Sequence, residues 1–443
     1  MHFKNIIFLL LISSNQVFSQ NIVNINIGYG SLPSTSEVTL ELKHRFQSYN
    51  KLLNSNGDTY DKSINSPKSV NILTIKNKFY VHSLEGYTTS VYSLEDFTKI
   101  KDIQHVFDKA NQHLFNKNET ENYDFRTKKF DFNFFNGKPV EGCFSHDGRY
   151  LWVTYYRRSY DLNAIDPSAV CIIDTETDSI IKVLTTGALP KMISCSPDNK
   201  TIAITHWGDN TVILVDIFSD NPSDFKFKES IIIDYKPKLN FEAGETVNRD
   251  QNCHNCLRGT VFSSDNKYIL IGKMGKNSIA VIDAENSKYI GSVSGMRNNM
   301  RHLIIKDENF YLSINKWGYI QKTNIDSFIT HIENNISEVY TKWDEVFVGQ
   351  GARTIEVDPS GKYLFIAVNN DSKIVVVRIN DMKIISTCFV DSFPVGLDVS
   401  ADGKYVIVTS QGKSNLGGGN SVMIFEIKYK TTGVSSTNEK RLD

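Results

Sequence analysis

An all-β fold built from repeated four-stranded antiparallel units is what the sequence predicts, on three observations. A Ser-x-Asp-Gly-Lys hairpin recurs along the chain, further apolar strands follow each copy, and several of those strands are apolar on both faces. The hairpin is clearest at Ser400-Ala401-Asp402-Gly403-Lys404-Tyr405, where Val395 to Val399 enters the turn and Tyr405 to Val408 leaves it. Asp-Gly between such runs favours a tight hairpin, because both residues tolerate the positive φ that the turn requires.

Seven copies can be counted. The first, worn in its turn chemistry, is Leu73 to Phe79; Ser145-His146-Asp147-Gly148-Arg149-Tyr150 and Ser196-Pro197-Asp198-Asn199-Lys200 follow. Ser263-Ser264-Asp265-Asn266-Lys267-Tyr268 is the fourth copy, and Lys306 to Leu312 is a decayed fifth. Asp358-Pro359-Ser360-Gly361-Lys362-Tyr363 and the Ser400 copy complete the set. After each hairpin comes a second apolar strand, such as Thr211 to Asp216 or Ser278 to Asp283, and often a fourth, such as Tyr289 to Val293. Four antiparallel strands recurring at about 40 to 70 residues give a seven-bladed β-propeller of four-stranded blades. Blades bury both faces against their neighbours, which accounts for runs such as Ile374-Val375-Val376-Val377.

The phrases Ser196-Pro197-Asp198-x-Lys200-x-Ile202-Ala203-Ile204-Thr205 and Asn210-Thr211-Val212-x-Leu214-Val215-Asp216 resemble the YVTN-type repeat propellers of bacterial envelopes. The resemblance spans residues 66–427 and implies fold rather than activity, since the same scaffold serves many roles. The Gly-His and Trp-Asp signatures of WD40 blades do not accompany the repeats.

The flanking segments complete the organisation. Residues 1–19 read as a signal peptide, with Lys4, an apolar centre from Ile6 to Ile12 and Val17-Phe18-Ser19 before the cleavage point. That apolar run is too short to span a bilayer, so a periplasmic or secreted address is expected. Residues 20–65 form an N-terminal segment, 66–427 the propeller and 428–443 a polar C-terminal tail. Because the chain turns polar soon after Phe425, the ring lacks a last outer strand. Either Val23 to Ile27 or Val38 to Leu42 is expected to pair with Ser421 to Glu426 and close it.

Length and charge set limits on function. The 443 residues are 40% hydrophobic, enough for a large core, and 50 acidic side chains balance 49 basic ones. Bulk charge therefore argues against strong nucleic-acid binding, and any electrostatic function must come from local clustering. With strands lettered a to d from the channel outward, the d–a and b–c connections share one rim. Loop insertions are expected on that rim: 105–138, 155–168, 218–256 and a short helix near 324–335.

Aligning the copies on the hairpin Ser locates a basic column five residues earlier, where strand a begins. It reads Lys68, Val140, Lys191, Arg258, Arg301, Arg353 and Val395, so five of its seven positions are cationic. Converging cations need an anion or nearby carboxylates, and Glu141 and Glu356 are candidate partners. His302 adjoins the column, and b–c loops are expected to bring His206-Trp207, Lys316-Trp317, Tyr155-Tyr156 and Asn369-Asn370 to the same rim. Lys68, Lys191, Arg258, Arg301, Arg353, His302, His206 and Trp207 form the candidate ligand-binding set.

Six cysteines do not make a disulfide scaffold at this length, and Cys143, Cys171, Cys195 and Cys388 read as small buried apolar residues. Cys253-His254-Asn255-Cys256 is read as a local disulfide stiffening the loop before Arg258; metal or redox chemistry and free thiols are the alternatives. Haem attachment is excluded because Leu257, not His, follows the second Cys. No catalytic grouping, metal site or cofactor motif is assigned, and Gly417-Gly418-Gly419 reads as a flexible connection. The expectation is a monomeric binding or scaffold propeller, with a small anionic ligand or a protein partner at the inserted rim. Rival readings are a propeller enzyme at the same mouth, a lactonase-like hydrolase or a redox partner, and a single-stranded nucleic-acid binder.

Overall fold

Four of the seven repeated hairpins close on the side chains that define their motif. In the computed structural model, which describes residues 25–116, 133–237, 247–412 and 418–430, Ser400 Oγ donates to Asp402 Oδ1 at 2.7 Å and accepts from the Tyr405 N–H at 2.9 Å. The Lys404 N–H donates to Asp402 at 3.1 Å, and Gly403 takes the positive φ of 72° that closes the turn. The same bonds recur at Ser263 and Ser196, with Asn266 and Asn199 in the left-handed position. Asp358 replaces the Ser in the sixth copy, its carboxylate taking the Lys362 and Tyr363 N–H groups.

These turns join the strands of seven sheets, antiparallel except where Asp58–Tyr60 runs parallel to Val38–Gln47, and six of them follow chain order outward from the channel. The innermost strands are Pro67–Leu73, Phe135–Ser145, Pro190–Cys195, Leu257–Phe262, Met300–Lys306, Ala352–Val357 and Pro394–Val399. Each touches the next round the ring, and the last touches the first. The core is correspondingly divided. Seven apolar clusters fill the seven junctions between blades, such as Ile204 and Ile213 against Trp152 and Val170 between the second and third. The fold is an all-β seven-bladed propeller of mostly four-stranded blades.

The ring closes through the N-terminal segment. Val38–Gln47 lies antiparallel to Ser421–Tyr429, from Val38 opposite Tyr429 to Gln47 opposite Ser421. Its alternate residues Val38, Leu40 and Leu42 enter the junction between blades six and seven. Ile25 packs into the same junction without forming a strand, whereas Val23 and Asn24 lie outside the described residues. The clasp is fastened by Arg45, 2% exposed, which ion-pairs with Asp58 and, at 3.1 Å, with Asp391.

Two insertions lie elsewhere than expected. The helix Ile325–Asn335 joins the third and fourth strands of blade five, which places it on the hairpin rim, opposite the column. It packs there because Phe328 and Ile332 reach the junction apolar cluster, while Asn324 caps its first turn. The outer strand of blade three is Lys226–Ile232, so the connection to blade four begins only at Ile233. The expected signal peptide at 1–19, residues 117–132 of the first insertion, Gly417 and the tail beyond Lys430 lie outside the described residues. Among the described residues no helix is long and apolar enough to cross a membrane.

Candidate functional site: the channel mouth

The column converges because strand a of every blade starts at the same rim. Close approach of blades makes this possible: a Cβ at Gly396 would come within 2.6 Å of the Lys68 carbonyl oxygen. Lys68, Lys191, Arg258 and Arg301 line one cavity of about 420 Å³ with Glu141, Asp250, Tyr156 and Trp207. Arg353 stands beside them, its Nε donating to the Val395 carbonyl of the next blade at 3.0 Å. The two uncharged positions, Val140 and Val395, are buried.

Only part of this charge is compensated. Lys191 Nζ is 2.7 Å from Asp250, and Arg258 Nη2 is 3.3 Å from Glu141. Among the described residues, no carboxylate comes within 4.0 Å of Lys68, Arg301 or Arg353, and Arg258 Nε has no hydrogen-bond partner. The electrostatics follow. Burial and then Arg353, Arg301 and Arg258 push the Lys68 amine well below its ordinary value. Burial and Arg258 bring Arg353 down to about 9, and burial with Arg258 and Arg353 lowers Arg301. Lys191 falls to about 7, burial outweighing the pull of Asp250. Guanidinium groups keep their protons, so the repulsion is relieved by a bound anion or by deprotonating a lysine.

Below the mouth the channel changes sign. A second cavity of about 300 Å³ is lined by polar side chains of the innermost strands, among them Asn71, Ser194, Thr260, His302, Glu356 and Asp398. Burial and the neighbouring Asp398 raise Glu356 to about 8, and burial raises Asp398 to about 7. Asp398 accepts from the Ile72 N–H at 2.7 Å, across the last blade junction. His302 is pushed down to about 4 by burial, and its Nδ1 accepts from the Ile355 N–H at 3.2 Å. It is therefore a neutral wall of the inner cavity.

The remaining candidates divide. Trp207 is at the mouth, but its face is covered by Lys191 Nζ, 3.9 Å from the ring centroid, and its Nε1 donates to the Asp250 carbonyl. His206 does not reach the channel. It is fully buried, accepts from the Gly187 N–H at 3.0 Å and bonds Thr211, so it holds the b–c connection of its blade. Tyr156 faces the cavity, while Tyr155 is turned inward to bond His105 at 2.9 Å. Trp317 is exposed on the rim, and Asn369 is buried.

Glu141 pairs with the column as its position suggests; Glu356 lies instead against Asp398, three residues deeper along strand a. Asp250 and Asp398 escape the sequence reading. Asp250 comes from the connection between the third and fourth blades, whereas Asp398 repeats the strand-a position of Glu356 and could have been found by aligning that deeper column. Cys253 and Cys256 form one close pair with sulfurs 1.97 Å apart. Between them Asn255 is anchored to Ile233 and Asp234, which fixes the approach to Arg258. Cys171 and Cys388 are buried, Cys143 and Cys195 half-buried.

Fold and channel together define a β-propeller with a basic mouth. No family model matches the chain, and no curated protein matches it. Among solved structures it is similar to the Kuenenia stuttgartiensis hydrazine synthase, at 13% identity and a TM-score of 0.55 over 82% of this chain and 96% of that one. It is also similar to the Cps50 (Swd1) β-propeller domain of Myceliophthora thermophila, at 11% identity and a TM-score of 0.54 over the same shares. At such identities the likeness shows the fold alone.

Proposed function

We propose that this chain is an exported propeller of the YVTN-repeat kind that binds a small anionic ligand at its channel mouth. The observation carrying the proposal is that five cations converge while, among the described residues, only Lys191 and Arg258 have a carboxylate within 4.0 Å. Lys68, Arg301 and Arg353 present a net positive site that a carboxylate or phosphate satisfies through charge-assisted hydrogen bonds. A pure scaffold of ion pairs has no reason to leave three of five cations without an acid within 4.0 Å among the described residues, one carboxylate, Glu141, being shared by four of them. Single-stranded nucleic acid is the weaker reading, because the Trp207 face that a base would stack on is already covered by Lys191.

Thermal denaturation at constant ionic strength tests this with phosphate, sugar acids and short oligonucleotides. A ligand at about 100 times its Kd stabilises by about 2.7 kcal/mol, a rise of several degrees in Tm. Arg301→Ala should weaken binding about tenfold or more, as expected for a lost charge-assisted bond. No anion raising Tm above the salt control would overturn the proposal.

A further inference from the structure

One side chain of the mouth is built for more than attraction. The Lys191 amine is held in place: Asp250 Oδ1 is 2.7 Å away, the Trp207 ring centroid 3.9 Å and the Tyr156 ring centroid 5.0 Å. It opens on the same cavity as Lys68 and Arg301, which have no carboxylate within 4.0 Å among the described residues. An amine, a carboxylate able to carry its proton and a separate anion clamp are thus placed together.

We propose that Lys191 is a nucleophilic amine that forms a reversible imine with a small anionic carbonyl compound, a 2-oxo acid being the simplest. This rests on the anion reading above, since Arg301 and Lys68 would hold the acid's carboxylate and leave its carbonyl carbon facing Nζ. Asp250 takes the ammonium proton, and the free amine adds to the carbonyl to give a carbinolamine. Asp250 returns the proton to the carbinolamine hydroxyl, the C–O bond breaks, and water leaves as the nitrogen lone pair forms the C=N bond. No oxidant or reductant is consumed, and hydrolysis reverses every step.

The charges facing Lys191 favour this chemistry. Burial, Arg258 and Arg301 depress its basicity against the opposing pull of Asp250, to about 7. At neutral pH the unprotonated fraction is then roughly a thousandfold above that of an ordinary lysine. A lysine beside other cations in a desolvated site is a general route to an amine nucleophile. Asp250 stays ionised to act as base: burial pushes it up, but Lys191 and Tyr156 hold it below the usual carboxylate range. Lys68, though more strongly depressed, has no carboxylate within 4.0 Å among the described residues, Glu141 acting on it from farther away, and its role is charge.

The test is reductive trapping on the full chain with pyruvate and cyanoborohydride, read by peptide mapping, beside Tm measurements with pyruvate and with lactate. Lactate carries the same carboxylate but no carbonyl. The expected result is an adduct on Lys191 at least about tenfold above any other lysine, rising from about pH 6 to about pH 8 and reduced by lactate. Lys191→Arg should abolish that adduct, and Asp250→Asn should slow its formation about tenfold. If both acids raise Tm and Lys191 is not selectively trapped, the imine fails while the anion site stands. If neither acid raises Tm and nothing is trapped, the proposal and the anion reading for such acids fail together.

Discussion

Two arginines in this propeller live under opposite rules. Arg45, at the clasp, meets Asp58 and Asp391 and donates to the Ile25 carbonyl, so its charge is answered twice over. Arg301, at the channel mouth, faces Arg258 and Arg353, with Glu141 acting from farther away and no carboxylate within 4.0 Å among the described residues. The same chain therefore pairs a buried guanidinium where it needs a fastener. Where it leaves one unpaired, the missing partner is best sought in solution.

The largest effect should come from breaking the fastener. Arg45→Met leaves Asp58 and Asp391 buried against each other without a counter-ion, and the predicted loss is about 3–5 kcal/mol in denaturant unfolding. Adding Asp58→Asn and Asp391→Asn should recover much of it, because the penalty lies in the stranded charges. A loss below about 1 kcal/mol, the range of an exposed pair, would remove the contrast on which the reading of the mouth depends.

The next effect belongs to the acidic half of the channel. Glu356 and Asp398 have folded values of about 8 and about 7, above their ordinary 4.5 and 3.8. Between those limits the folded state binds more protons than the unfolded one, so their contribution is full at low pH and is lost as pH rises through the folded values. Lys191 has the opposite sign: its value is depressed, so stability rises with pH above about 7. Wild-type stability thus mixes both slopes. The double variant Glu356→Gln, Asp398→Asn should lose the downward one, so its stability should rise relative to wild type between about pH 5 and about pH 8. An unchanged pH profile would show that the pair does not share this buried environment.

How much of this was legible in the sequence depends on how local each feature is. The hairpins were readable because Ser400, Asp402, Gly403 and Tyr405 bond one another within six residues. The mouth was readable because repetition turns one register into a ring. Arg45 and Asp391 were not, being 346 residues apart and outside any repeat. His206 was misplaced for a related reason. Loop position put it on the rim, but bonds to Gly187 and Thr211 turn its ring into the blade.

The smallest predicted effect is the one that bears most directly on the mouth. Lys68→Met removes a cation whose neighbours Arg353, Arg301 and Arg258 all oppose its charge, and its apolar stem can be kept by Met. A residue that stabilised the fold by ion pairing would leave the variant weaker. Here removal of repulsion should make the variant more stable by about 1 kcal/mol at low ionic strength. The gain should shrink in salt, since the cavity opens to solvent and ions can screen it. Addition of a bound anion should reverse the order, because wild type then has one more cation to meet the ligand. Stability that falls at low salt and does not invert with anion would assign Lys68 a structural role and return the mouth to the same rule as the clasp.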